Sequence, residues 1–571
     1  MKPLSEQHAN LVVKAIEAAQ QAGDLPAFDI PEVPINPSKR VEQGDFASPV
    51  AMALARVAKM KPLDIANTIV AHLPAADFIE SAEVSAPGFI NFRLSKTWLI
   101  SQINVLIELG DAFGNLDIGH GKRAQVEFVS ANPTGPLHVG RSRGAIVGDA
   151  VARILEAAGF EVQREYYFNN AGVQMKNLGE SLRVRYLEAL GQPVEIPDES
   201  ASWFYQGEYL KDIAQQLIEE QGDALLDADW QPFKAYAEAA MFKVIKKTLA
   251  RVDIHHDAFF NENSLFENNA VWDVLDALDK GGYIYKSPVR EGESEEVIEK
   301  NKDLAPATWF RSTRFGDSED RVLVKSDGAP TYTLPDIAYH KNKIERGFDL
   351  LVNVLGADHY TQHQVVKYGI QALGLDASKI NVILVQMVRM VRDGKEVKIS
   401  TRRGTYETLD DLIDATSADA VRYLLAARNP NSQMDFDMDL AIRRSNDNPV
   451  YYIQYAHVRC AGIFREAQAR GFTDEGADLS LLDDEALAFI RKCLELPDQI
   501  RFAAETLSAH TIPHFALEIA NQFHPMYDRV RVFGEGVDPE LAKARLRFYR
   551  AVQCVFRRML NLMGMSAPEF M

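Results

Sequence analysis

Cysteine is scarce in this chain of 571 residues: Cys460, Cys493 and Cys554 stand far apart, and no Cys-x-x-Cys pair occurs. A disulfide framework and a cysteine-based zinc site are therefore not expected, and a reducing, cytoplasmic setting fits best. No run of about 18 apolar residues exists, so no membrane-spanning helix is expected. The pattern Gly-x-x-x-x-Gly-Lys-Ser/Thr is missing, and with it the P-loop mode of nucleotide binding. Internal repeats and low-complexity tracts are absent. The opening stretch, Met1 to His8, lacks an apolar secretory core and carries an early acid, Glu6, so it is expected to be that of the mature protein. Positive charge is also short: 62 Lys and Arg against 81 Asp and Glu leave a net charge of -19. That argues against a protein coated in nucleic acid. Local exceptions exist at Arg141 with Arg143, Arg402 with Arg403, Arg443 with Arg444, and Arg545, Arg547, Arg550, Arg557 and Arg558. An acidic body with basic faces suits an enzyme that must release a bound RNA; a solvated helix face is the plainer reading of any one cluster.

What is present is ordinary globular material, 47% hydrophobic and 25% charged, long enough for three or four domains. Residues 1–118 read as an N-terminal α+β domain, with helices over Asn10–Ala22 and Pro49–Met60 and a strand over Phe89–Phe92. Residues 119–418 read as a Rossmann-type α/β domain. Gln125–Val129 has strand character. Asn132-Pro133-Thr134-Gly135-Pro136 must be a loop. Gly144–Ala158 places Val147, Val151, Ile154, Leu155 and Ala158 on one helical face and stops at Gly159. Val162–Phe168 resumes as a strand. Strand, loop, helix, strand implies a parallel sheet with a ligand crevice at the strand ends. Residues from about 175 to 300, helical and acidic with Trp203, Trp230 and Trp272, read as an insertion. Sheet-like segments return at Arg321–Lys325, Leu350–Leu355 and Asn381–Met387. From 419 to 571 the pattern predicts a helical bundle.

The loop after the first strand carries Ser130-Ala131-Asn132-Pro133-Thr134-Gly135-Pro136-Leu137-His138-Val139-Gly140-Arg141. A helix N-terminus offers unpaired N–H groups and partial positive charge to a phosphate. His138 can donate to a phosphate oxygen, Gly140 lets a flat base approach the backbone, and Arg141 adds fixed charge. A second polar loop, Asp393-Gly394-Lys395-Glu396-Val397-Lys398-Ile399-Ser400-Thr401-Arg402-Arg403-Gly404, follows a predicted strand. Its cations can close over a developing pyrophosphate. An exposed turn between strands is the bland alternative.

The first segment resembles the HIGH motif of class I aminoacyl-tRNA synthetases. Its context from Val126 to Gln174, with Ser130 to Pro136 and Tyr166-Tyr167-Phe168-Asn169-Asn170-Ala171-Gly172-Val173-Gln174, resembles the arginyl-tRNA synthetases. Arg141 departs from the pattern, which has a second histidine there. The second segment is similar to the KMSKS loop through Lys398, Ile399 and Ser400, with Thr401 in place of the second lysine. The resemblance implies a catalytic role for His138, Lys398 and Ser400. It implies ATP contacts from Asn132, His138, Gly140, Arg141, Gly144 and Lys398. Asp358 and His359, at a strand end, are expected at the ribose or substrate, and Met387 with Val388 at the adenine. A metal pair of His359 with His363 is set aside, because no further ligands are evident.

A guanidinium calls for carboxylates, which bind it through paired charge-assisted hydrogen bonds. Glu127 on the first strand and Asp336, four residues after Tyr332, are the candidates. By resemblance, Glu127, Tyr332 and Asp336 hold the guanidinium, Ser130 and Asn132 face the amino acid, and His138 serves both sites. Asp419-Ala420-Val421-Arg422 resembles the tetrapeptide of DALR-type anticodon-binding domains, and Ser445 to His457 extends the likeness. Unstacked bases need aromatic faces and cations, which Arg443, Arg444, Tyr451, Tyr455 and Arg459 can supply. Gly44-Asp45-Phe46-Ala47-Ser48 looks like the family's extra domain that contacts the tRNA D-loop. The resemblance implies that ATP with Mg2+, L-arginine and tRNA-Arg are substrates and that tRNA must be bound before arginine is activated. A monomer with no membrane partner and no structural metal is expected. A class I synthetase for another amino acid and a non-catalytic tRNA-binding relative are the alternatives.

Overall fold

The computed structural model describes residues 2–38, 43–198, 200–397 and 408–571, with His359 by its backbone alone. They form two compact units: Met1–Ile118 with Ala157–Gly159 and Arg443–Met571, and Gly119–Glu156 with Phe160–Ile442.

The second unit is built on a parallel sheet. Its elements in chain order are β1 (Arg123–Glu127), α1 (Ser142–Ala157), β2 (Glu161–Phe168), β3 (Ala258–Asn261), α2 (Thr333–Glu345), β4 (Leu350–Gly356), α3 (Tyr360–Ala372) and β5 (Ile380–Val385). Across the sheet the order is β3-β2-β1-β4-β5, every neighbour parallel. The order reverses between β1 and β4, and open sheets of this kind bind ligands at that switch point, beyond the carboxyl ends of the strands. Ala124, Gln125, Val126 and Glu127 are all buried, as a central strand covered on both faces requires. Val147, Val151, Ile154 and Leu155 on α1 are buried as their spacing predicts. Gly148 lets α1 press onto the end of β1: a Cβ there would lie 2.3 Å from the Phe128 ring.

Several boundaries differ from the sequence reading. β3 lies inside the stretch from 175 to 300 and forms the sheet's edge, paired with β2. Its four half-buried residues, Ala-Phe-Phe-Asn, are too short to show a period of two. The helices around it were expected: Val173–Ala189, Tyr209–Gln221 and Trp230–Arg251 enclose their own core of Leu178, Leu182, Leu217, Phe233 and Met241. Arg321–Val324 belongs to a separate antiparallel sheet with Ala307–Phe310 and Ile284–Ser287. The second unit also runs past 418 to Ile442. The reason is visible at Arg422, which is fully buried, ion-pairs with Asp149 on α1 and donates to the Val252 carbonyl. A buried guanidinium needs such partners, so the helix Ala418–Ala426 that carries it stays with the sheet.

In the first unit, Asn36–Pro37, Phe46–Ser48, Phe89–Leu94 and Ile79–Ser85 form an antiparallel sheet. Gly44 has φ +81, and a Cβ there would meet the Phe92 carbonyl oxygen at 2.6 Å. Helices Pro449–Ala469, Asp484–Cys493, Leu496–Thr506, Thr511–Arg529 and Pro539–Leu562 make the predicted bundle. The three cysteines are buried there as free thiols. Among the described residues no helix is long and apolar enough to cross a membrane.

Candidate active site

Two cavities open at the switch point. The larger has a volume of about 490 Å³ and is lined by Val129, Gly140, Arg141, Gly144, Val354 to Asp358, and Val385 to Met387. It brings together Gly140, Arg141, Gly144, Asp358 and Met387 from the expected ATP set. Val388 lies just beyond, where Val388–Arg392 starts to pair with Met434–Asp437. The chain leaves β1 through two strained residues, Val129 at φ +70 and Ser130 at φ +38. A β-branched residue in the left-handed region persists only when its surroundings hold it there.

His138 caps the turn Val139–Arg141 that opens α1, and its Nδ1 accepts the Gly140 N–H at 3.0 Å. A neutral ring that accepts at Nδ1 carries its proton on Nε2, so it presents a donor outward. Gly140 permits this, because a Cβ would stand 3.0 Å from Nδ1. His138 also bridges to Thr408, and the Leu409 N–H donates to the Leu137 carbonyl at 2.8 Å. Thr408 follows directly on residues 398–407. Lys398 and Ser400, with Thr401, Arg402 and Arg403, lie outside the described residues. Asn132 donates to Gln174 at 3.0 Å and accepts the Asn169 N–H, which ties the loop to the chain beyond β2. Arg143, grouped with Arg141 as a basic cluster in the sequence, is buried instead. Its guanidinium donates to the carbonyls of Gln386, Asn429 and Ser432.

The smaller cavity, about 60 Å³, is lined by Glu127, Tyr167, Asp336, Tyr339, His340, Asn353, Leu355, Gln362 and His363. Three polar side chains stand in one row across the sheet, because Asn353, Glu127 and Glu165 are register partners on β4, β1 and β2. Helix α2 answers that row. Lys343 Nζ donates to Glu127 Oε2 at 2.6 Å and to Asn353 Oδ1 at 2.7 Å. Tyr339 and Arg346 donate to Glu165. Glu127 also accepts from Ser130 Oγ at 3.0 Å. Asp336 accepts from Gln362 Nε2 at 2.7 Å. Burial raises the Asp336 carboxyl to about 7, with the charges of Glu127 and Glu262 adding to the rise.

Glu127 and Asp336 thus share one pocket. Tyr332 does not join them: it stands before the first turn of α2, 85% exposed and outside the lining. The sequence reading passed over Tyr167, Tyr339, Lys343, Asn353 and Gln362. One signal was available at Lys343, seven residues after Asp336, hence two turns on along the same face.

In the first unit, Tyr451 and Tyr455 stack at 5.6 Å, and the Arg459 guanidinium lies 4.9 Å from the Tyr455 ring centroid. Arg443 and Arg444 are exposed just ahead of that helix.

Three family models match the chain: the arginyl tRNA synthetase N terminal domain over residues 6–94, the catalytic domain of tRNA synthetases class I (R) over 103–445, and the DALR anticodon binding domain over 453–571. The tetrapeptide 419–422 therefore falls within the catalytic model and outside the DALR model, in keeping with the buried Arg422. An arginine–tRNA ligase of Heliobacterium modesticaldum is 40% identical, with 98% of each chain covered. One from Desulfotalea psychrophila is 41% identical over 93% of this chain and 94% of its own. The structure of Thermus thermophilus arginyl-tRNA synthetase superposes with a TM-score of 0.74 over the full length of both chains, at 19% identity. The full-length matches and the nucleotide-type crevice agree, and the chain belongs to the arginyl-tRNA synthetase family.

Proposed function

We propose that the larger cavity holds ATP and the smaller one the arginine side chain, so that the arginine carboxylate attacks the α-phosphate and pyrophosphate leaves. The arginyl group then passes from the adenylate to a hydroxyl of the terminal ribose of tRNA-Arg, releasing AMP. The observation that carries this reading is the pairing of Glu127 with Asp336 in one pocket that adjoins the nucleotide crevice, through their common wall at Leu355. Two carboxyl groups match a planar cation, and no covalent nucleophile is needed.

In this reading Ser130 and Asn132 border the amino acid, and His138 Nε2–H donates to a phosphate oxygen as charge develops on it. Gly140, Gly144 and Arg141 face the phosphates and ribose, with Asp358, His359, Met387 and Val388 around the nucleoside. Lys398 and Ser400 are assigned to the departing pyrophosphate by family likeness. Mg2+ enters with ATP as part of the substrate. Tyr332 is kept in the guanidinium set on the same likeness, as a side chain that turns inward when arginine binds. Arg443, Arg444, Tyr451, Tyr455 and Arg459 are assigned to tRNA, through stacking and cation–π contact. The monomeric state and the cytoplasmic location belong to the same proposal.

Arginine charging of total tRNA tests it. The expected result is that the intact protein charges arginine, that Glu127→Ala raises the arginine KM by about a hundredfold, and that His138→Ala lowers kcat by about a hundredfold. Unchanged charging by Glu127→Ala removes its assigned role.

A further inference from the structure

Lys343 has no part in the reaction as assigned above, yet its side chain is wholly enclosed beside the arginine pocket. The three hydrogens of its ammonium have three answers. They are Glu127 Oε2 at 2.6 Å, Asn353 Oδ1 at 2.7 Å, and the face of Tyr339, whose ring centroid lies 4.2 Å from Nζ. No donor is left for a substrate. The amide of Asn353 continues the chain: its Nδ2 donates to His340 Nε2 at 2.8 Å, and His340 Nδ1 bonds the Asp336 carbonyl at 2.7 Å. One network therefore reaches from the cation to both acid-bearing segments.

We propose, on the reading that Glu127 and Asp336 grip the guanidinium, that Lys343 is a positioning residue for arginine selection. It clamps Glu127 and supplies the fixed positive charge that lets two carboxylates face one small pocket. Glu127 and Lys343 cancel, and Asp336 is left as a single negative charge for a single guanidinium.

No other side chain that lines the pocket changes this sum, and Glu262, outside the lining, adds negative charge. Burial keeps His340 on α2 and His363 on α3 below the ordinary histidine range, so both remain neutral. Burial raises Tyr167 on β2 and Tyr339 on α2 well above the usual phenol range. Glu165 on β2, which burial would raise, is held low by Arg346, Lys343 and Tyr339. Glu262, beyond β3, accepts from Tyr167 Oη and Asn169, and its charge raises Asp336 as that of Glu127 does; the charge of Lys343 acts in the opposite direction.

Removing the cation therefore makes the two carboxyl groups compete for a proton, and arginine must displace it. Calorimetric titration of the intact protein with arginine, from about pH 6 to about pH 9, reads this out. In Lys343→Met, arginine affinity falls at least about tenfold at neutral pH and recovers toward alkaline pH, with the midpoint raised by about one unit. ATP affinity stays within about twofold, because Lys343 has no atom in that cavity. The double variant Lys343→Met with Glu127→Gln leaves no unpaired buried charge from this pair, and its midpoint falls below that of the single variant. An equal loss at every pH, or no loss, in Lys343→Met overturns the proposal and leaves the lysine a support of the fold. If Asp336→Asn and Glu127→Gln each bind arginine as the unsubstituted protein does, the underlying reading of the pocket fails instead.

Discussion

At Asp336, burial and the charges of Glu127 and Glu262 raise the carboxyl to about 7. The sign of the consequence follows from linkage. The folded state binds this proton more tightly than the unfolded chain does, so stability declines as pH rises from about 4 to about 7. The full shift corresponds to about 4 kcal/mol, an upper bound for the ionised form. Asp336→Asn keeps the bond to Gln362 and removes that cost, so its Tm at pH 8 is expected to exceed that of the unsubstituted protein. Arginine affinity is expected to fall by about a hundredfold in the same variant. In the unsubstituted protein, arginine affinity should weaken as pH drops through about 7, since only ionised Asp336 attracts the guanidinium; arginine KM measured against pH checks this. Both acids were legible in the sequence, because the family likeness and the chemistry of a guanidinium point to them. Lys343 and Asn353 were not. Lys343 lies 216 residues from Glu127, and their meeting depends on β4 lying beside β1, which no local pattern announces.

At the scale of elements, the crevice depends on how closely α1 approaches β1. Gly148→Ala would drive a methyl into the Phe128 ring, which stands 2.3 Å from the Cβ position. The expected cost is about 1–3 kcal/mol, with a rise in ATP KM as the Val139–Arg141 turn shifts. Denaturant unfolding and a KM determination read the two effects, and a variant with unchanged Tm and unchanged ATP KM would contradict the packing described. The β1–loop–α1–β2 unit was legible to within a few residues, because apolar periodicity, Pro-Gly punctuation and a stop glycine agree. β3 was not, being four residues among long helices. Past Asp419, where the sequence reading starts the helical domain, the second unit continues to Ile442. The helix Ala418–Ala426 looks like its successors in sequence, and only the buried pair of Arg422 with Asp149 assigns it to the sheet.

Over the whole molecule, the net charge of -19 means that RNA must be met by local cations. Arg459, held against Tyr455 and Tyr527, is expected to serve tRNA and nothing else. Arg459→Ala should raise the tRNA KM by about 5- to 50-fold and leave the arginine and ATP KM values within about twofold. Equal KM values for tRNA would remove this face from the interface. The central claim is that the small pocket reads a guanidinium. It is tested most directly by ATP–pyrophosphate exchange with total tRNA present, comparing arginine with lysine and with citrulline, the neutral isostere of arginine. Exchange with arginine at least about a thousandfold above both is the predicted result, because citrulline brings no charge to Asp336 and lysine lacks the planar, paired donors. Comparable exchange with citrulline would contradict it.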